Sequence, residues 1–179
     1  MQSITFITGN QKKADYLAKY LWFPIEHMKL DLDEIQSLDL REIVEHKVRQ
    51  AYEKCGKPVL VEDTSLEFTA LGRLPWTFIK FFLSELGLQK VCDLLSAERT
   101  SIARTTYWYY DGSRLEFLEW HLDGNISTSP RGKTGFAWDQ IFIPHWSDRT
   151  SAELDDTEYE RFYLEVKPLK KVREFLLTL

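Results

Sequence analysis

PVLVEDTSLEFTALGRLP, running from Pro58 to Pro75, decides the reading of this chain. It opens on Val59-Leu60-Val61, an apolar run short enough for one buried strand. Two adjacent carboxylates follow, Glu62 and Asp63, then Thr64 and Ser65, and then a loop punctuated by Gly72 and Pro75. The pattern predicts a buried strand that ends in a pair of acids. Parallel sheets place their ligands at the carboxyl ends of their strands. Acids at that place suit a hard divalent cation or the orientation of a water. An ordinary acidic strand-to-loop junction is the competing reading, and these residues alone leave the two in balance.

Upstream, Ser3 to Thr8 is β-branched and apolar and predicts a first strand; Gly9-Asn10 marks a turn. From Gln11 the pattern becomes helical, with Ala14, Leu17, Ala18 and Leu21 on one face. The backbone N–H groups at such a helix start attract anions, and Asn10, Lys12 and Lys13 stand beside them. The plainer alternative is that Asn10 caps the helix and the lysines are solvated. One glycine does not make the glycine-rich phosphate loop of common NTPases. A second strand is expected around His27 to Leu32, followed by the acidic cluster Asp31, Asp33 and Glu34. Asp39 to Cys55 predicts a helix with Leu40, Ile43, Val44, Val48 and Ala51 recurring on one face. Lys47 falls on that stripe, where a lysine either snorkels to water or directs its head into an anionic site.

Downstream, helical patterns cover Thr77–Leu86 and Leu88–Leu95 around Gly87, with Lys80 inside the aromatic run FIKFF. Thr100–Tyr110 and Arg114–Leu122 predict a hairpin through Asp111-Gly112, and Gly124–Ser127 a further short strand. Ser129–Pro144 reads as a loop bearing Phe136, Trp138 and Asp139 with two cations, a mixture that suits a nucleotide base or a rigid packed loop. Thr150 and Glu153 match a capping box, with a helix expected from there to about Tyr163; Pro168 opens a last helix. Strands alternating with helices, then a hairpin, then helices, give an α/β class with a mixed sheet.

Composition sets outer limits. The 179 residues fit one domain over 1–179, or one core with two lobes, and 44% hydrophobic content supplies a core. A net charge of −5 argues against a nucleic-acid polymer as partner but leaves a single nucleotide open. Cys55 and Cys92 have no metal or disulfide spacing, the start MQSITFITGN has no signal-peptide character, and no apolar run approaches membrane length. The expectation is a reduced, cytoplasmic protein with no membrane partner.

Four segments together resemble one family. TGNQKK (Thr8–Lys13), LDEIQ (Leu32–Gln36), VEDTSLEFTALGRLP (Val61–Pro75) and SPRGKTGFAWDQIF (Ser129–Phe142) are similar, in order and spacing, to the inosine/xanthosine triphosphate pyrophosphatases, the HAM1-like family. The resemblance spans nearly the whole chain. It implies an elongated mixed sheet flanked by helices, two lobes around a central cleft, and a homodimer. It also implies Mg²⁺-dependent hydrolysis of ITP, XTP or dITP to a monophosphate and pyrophosphate, which cleanses the nucleotide pool. By the same resemblance Glu34, Glu62 and Asp63 are the metal carboxylates, and Asp63, Glu62 and Lys47 the catalytic set. Thr8, Asn10, Lys13, Ser65 and Lys80 are implied at the phosphates, and Phe136, Trp138 and Asp139 at the base. Such hydrolysis needs charge neutralisation, a metal and an activated water, which acids and lysines of this kind supply.

The base-reading half departs from the family. Where the family has Ser-His-Arg, this chain has Tyr163-Leu164-Glu165, which reverses the hydrogen-bond polarity of the last position. Tyr159 replaces a family lysine, Trp76 a glycine and Gln140 a proline. Two alternatives therefore stand beside the pyrophosphatase reading. One is the same fold acting on a different modified nucleotide, with Glu165 accepting from an amino-bearing base. The other is a nucleotide-binding protein without turnover.

Overall fold

The structure is a computed structural model that describes residues 4–33, 35, 37 and 39–179. Glu34, expected at the metal, lies outside the described residues. The first five elements are β1 (Ile4–Ile7), α1 (Gln11–Leu21), β2 (Ile25–Met28), α2 (Leu40–Cys55) and β3 (Val59–Phe68). Then come β4 (Pro75–Trp76), α3 (Ile79–Asp93), β5 (Thr100–Tyr110), β6 (Leu115–Ile126), β7 (Phe142–Pro144), α4 (Asp156–Val166) and α5 (Leu169–Leu176). The strands follow the order β2-β1-β3-β5-β6-β7, and β4 pairs with β3. β1 is parallel to β2 and β3, whereas β3–β4 and β6–β7 are antiparallel, so the α/β class with a mixed sheet holds.

Contacts divide the chain into two compact units. One comprises Met1–Asp63, Thr106–Glu119 and Pro168–Leu179; the other comprises Thr64–Thr105 and Trp120–Lys167.

In the first unit, β1, α1 and β2 make one parallel crossover, and α2 returns the chain to the other side of β1. Asn10 caps α1: its side-chain oxygen accepts from the N–H groups of Lys12 and Lys13 at 3.0 and 3.4 Å. Ala14, Leu17 and Leu21 are buried, whereas Ala18 is exposed, so the buried stripe is narrower than the sequence pattern. Asp39 caps α2 through the Arg41 N–H, and Gly56 ends it in the left-handed region at φ 64°. Ile43, Val44, Val48 and Ala51 face inward as the spacing predicts. β2 starts two residues earlier than expected, at Ile25, and ends at Met28. The turn after β5 is closed by the Asp111 carboxylate, which accepts from the N–H groups of Ser113 and Arg114 at 2.9 and 2.7 Å. Gly112 there has φ 98°, and a Cβ would sit 2.4 Å from the Tyr52 hydroxyl, so both backbone and space demand glycine.

The second unit has its own core, with Leu66, Phe68, Val91, Ile126, Phe142 and Phe162 among its buried members. α3 is kinked at Gly87 (φ 75°, ψ 163°), where the sequence divided it. Arg99 clasps the end of α3 to the end of β6. Its guanidinium donates to the carbonyls of Cys92 (2.9 Å), Leu95 (2.6 Å), Ile126 (2.6 Å) and Ser127 (2.5 Å). The residues 124–126 expected as a separate strand are the end of β6. The capping box at Thr150 and Glu153 exists, but it opens only a short 3₁₀ turn, Ser151–Glu153. The α-helix begins later, at a second capping box made by Asp155 and Glu158, and reaches Val166.

Candidate active site

The pair Glu62-Asp63 does not end its strand. β3 continues ten residues, from Val59 to Phe68, through both acids and through Thr64 and Ser65. What ends is its parallel partner: the register pairs Ile7 with Val61, so β1 stops where Glu62 begins. The chain steps from β1 to β2 on one side and to β3 on the other, so the strand order reverses at this point. In open α/β sheets the carboxyl ends of strands at such a reversal are where ligands bind. The start of α1 stands at the same end of β1. The sequence therefore located the acids correctly beside a strand end, although the end belongs to the neighbouring strand.

Glu62 is buried, with 5% of its surface exposed. A buried carboxylate needs donors. Lys13 supplies one from the first turn of α1, its Nζ lying 3.1 Å from Oε1. Tyr107, fully buried on β5, donates its hydroxyl to Oε2 at 2.5 Å. Burial works against the charge of Lys13, but the carboxylates of Glu62 and Asp63 and the hydrogen bond to Glu62 outweigh it and raise its pKa above the usual lysine value. The solvated alternative for Lys13 is thus excluded. Asp63 is half-buried, and its carbonyl accepts from the Thr106 hydroxyl at 3.4 Å. Thr8 accepts the Asn10 N–H on Oγ1 at 3.1 Å. Its carbonyl is 2.9 Å from His27 Nε2. Lys47 is partly buried on α2. On the same helix, Gln50 holds Asp33 twice, accepting its N–H and donating to its carboxylate, each at 2.7 Å.

An ionised carboxylate offers about four lone-pair positions, so two such donors do not by themselves exhaust Glu62. Its remaining lone pairs are anionic oxygen, the donor type a hard cation such as Mg²⁺ takes, and Mg²⁺ needs only one or two carboxylates beside phosphates and waters; among the described residues no group of three or more His, Cys, Asp or Glu side chains could hold a metal by itself. No other feature of the first unit was as hard to see in the sequence as Tyr107. It lies within TTYWYY, an aromatic β run that reads as core, and only the pairing of strands brings it to Glu62.

The remaining expected residues belong to the second unit. Ser65 is buried, and its Oγ has no hydrogen-bond partner among the described residues. Lys80 is exposed in the first turn of α3, its ammonium 4.9 Å from the Phe81 ring. Asp139 is buried and organises its loop: Oδ2 accepts from the Phe136 N–H at 2.7 Å and from the Tyr159 hydroxyl at 2.9 Å. Ser151 donates to Oδ1 at 3.4 Å. Burial pushes the Asp139 carboxyl up to about 6, against these hydrogen bonds and the charge of Lys167. A Cβ on Gly135 would lie 2.2 Å from Oδ2, so the close approach of that backbone needs glycine. Phe136 and Trp138 are both partly buried, and Trp138 packs on the core of this unit.

Positions read from sequence as departures from the family are engaged. Tyr159, expected to stand where the family has a lysine, donates its phenol to Asp139. Glu165 is occupied: Oε2 accepts from Trp146 Nε1 at 2.5 Å and Oε1 from Arg161 Nε at 2.9 Å, while the Arg161 guanidinium lies 4.5 Å above the Trp146 ring. Lys167, which the sequence reading did not single out, is buried, with its ammonium 5.8 Å from the Tyr163 ring. Trp76 is buried with φ 57°, its ring 5.1 Å from the Arg73 guanidinium and 5.7 Å from that of Arg104, which in turn pairs with Glu67 at 2.9 Å.

A parallel βαβ start, with a buried acid, a half-buried one beside it in sequence and a lysine at the strand reversal, defines an α/β protein. The Ham1 family profile matches residues 4–175, and the chain belongs to the Ham1 family. The inosine triphosphate pyrophosphatase of Scheffersomyces stipitis is 36% identical over 195 residues, covering 99% of this chain and 100% of that protein. The inosine triphosphate pyrophosphatase of Schizosaccharomyces pombe is 36% identical over 182 residues, covering 98% and 96%. Among solved structures, a HAM1 protein from Coxiella burnetii superposes with a TM-score of 0.86 at 23% identity, covering 100% of both chains. The Staphylococcus aureus Ham1 protein gives 0.82 at 19% identity, covering 99% of each.

Proposed function

We propose that this chain is a nucleoside triphosphate pyrophosphatase that hydrolyses ITP, XTP and dITP to the monophosphate and pyrophosphate, and so clears such nucleotides from the pool. The observation that carries this reading is the meeting of Lys13, at the start of α1, with Glu62 at the strand reversal. Cations at a helix start oppose the helix dipole and are at home there when an anion is to be bound. In this reading Thr8, Asn10 and Lys13 take phosphate oxygens, with Lys47, Ser65 and Lys80 completing the set. Asp63 orients the attacking water and accepts its proton; a catalytic acid or base of this kind contributes roughly 10²–10⁴-fold. Glu34, Glu62 and Asp63 are the carboxylates that would hold Mg²⁺, which when bound neutralises phosphate charge. Phe136, Trp138 and Asp139 serve the base, Asp139 by fixing the loop that carries the two aromatics. The same reading includes a homodimer and a cytoplasmic place of action, both inherited from the resemblance. Glu165 already accepts one hydrogen bond on each oxygen, from Trp146 and Arg161, which weighs against its serving as the acceptor for an amino-bearing base.

The test is identification of products from ITP by ³¹P NMR. IMP and pyrophosphate in equal amounts are expected. IDP and orthophosphate would place the cleavage at the wrong bond and reject the reading.

A further inference from the structure

Lys13 and Tyr107, both donors to Glu62, differ in kind. Tyr107 is a rigid side chain, fully buried on a central strand, and its O–H···O distance of 2.5 Å to Oε2 is that of a strong charge-assisted bond. Lys13 reaches Oε1 at 3.1 Å from a helix start, on a flexible four-carbon stem that keeps 14% of its surface in solvent. An anion arriving at the α1 start draws the ammonium toward itself. The phenol has nowhere to go, because core side chains enclose it. A buried carboxylate left by both donors would be held at high cost, and one left by Lys13 alone still has a fixed donor.

We propose that Tyr107 is the positioning residue that holds Glu62 for a divalent cation, and that Lys13 is the resident cation on that carboxylate until a triphosphate draws it away. The proposal rests on the pyrophosphatase reading for the identity of the triphosphate and on this chain's own geometry for the rest. Binding is then an exchange on Glu62: the ammonium leaves Oε1 for phosphate as the metal arrives, and the carboxylate does not turn because Oε2 stays bonded. Partners that orient metal ligands in this way are typically worth 10–100-fold in metal affinity or activity.

The experiment compares wild type, Tyr107→Phe and Lys13→Met. Mn²⁺ binding to nucleotide-free protein is followed by the EPR signal of free Mn²⁺. The Mg²⁺ concentration giving half-maximal ITP turnover is measured in parallel, and thermal melting checks the fold. Tyr107→Phe should weaken both cation constants by roughly 10–100-fold. Its KM for ITP at saturating Mg²⁺ should stay within about two-fold, a split that a merely structural role would not give. Unchanged cation constants overturn the proposal. Lys13→Met retains Tyr107 and loses the competing ammonium, so its empty form should bind Mn²⁺ more tightly than wild type. Equal or weaker binding would mean that Lys13, not Tyr107, holds Glu62, and it decides the matter even if Tyr107→Phe does not fold. Absence of any nucleotide hydrolysis by wild type would reject the pyrophosphatase reading while leaving the Mn²⁺ titrations to judge Tyr107.

Discussion

Asp139→Asn isolates one buried charge and predicts a pH dependence of known sign. The Asp139 carboxyl is 6% exposed, and burial pushes it up to about 6 in the folded chain from an ordinary value of 3.8. Between those two values the folded protein holds a proton that the unfolded chain has released. Stability from this residue is therefore fully present below pH 3.8 and is lost as pH rises through about 6. A displacement of that size corresponds to about 3 kcal/mol. Asparagine keeps the shape, and its side-chain oxygen still accepts from the Phe136 N–H and the Tyr159 hydroxyl, but it never ionises. The stability of the variant relative to wild type should thus climb by about 3 kcal/mol between pH 3 and pH 7, a relative shift in Tm of about 6–12 °C for a chain of this size. Urea unfolding at half-unit pH steps, read by Trp fluorescence, measures the difference while acid effects common to both proteins cancel. A flat difference, or one that falls with pH, would refute the reasoning that burial dominates at Asp139.

Other substitutions follow from the same geometry. Glu62→Gln and Asp63→Asn should each lower kcat for ITP by roughly 100-fold or more, with the fold intact by circular dichroism; near-full turnover in either would mean the acids are not the site. Arg99→Ala removes the clasp between α3 and β6 and should cost roughly 3–5 kcal/mol in denaturant unfolding, because several buried carbonyls lose their donor at once. Glu165→Ala should lower stability by about 1–2 kcal/mol through the freed Trp146 and Arg161, yet leave the ranking of nucleotides in a turnover assay unchanged; a changed ranking would show that Glu165 does read the base.

Much of this architecture is visible in periodicity and caps. The stripe through Ile43, Val44, Val48 and Ala51, the Asn10 and Asp39 caps and the Asp111-Gly112 turn are local, and local chemistry is written in neighbouring residues. The acids at Glu62 and Asp63 were legible for the same reason. Their setting was not, because β3 is long and the strand that ends there is β1, fifty-odd residues earlier in the chain. Tyr107 was invisible because a hydroxyl inside an aromatic strand looks like core until the register is known. The start of α4 was misplaced because two capping boxes stand five residues apart, and only the second is followed by a stripe that the core can bury. Glu165 was readable as a change of polarity, but its partners Trp146 and Arg161 were not.

The central claim is turnover of deaminated purine triphosphates at the Glu62-Asp63 site. Pyrophosphate release from ITP, XTP, dITP and the four standard NTPs, each with and without Mg²⁺, tests it most directly. ITP, XTP and dITP should turn over well above the standard nucleotides, and only with the metal present. Hydrolysis of none of them, or equal hydrolysis of all with EDTA in excess, would contradict it.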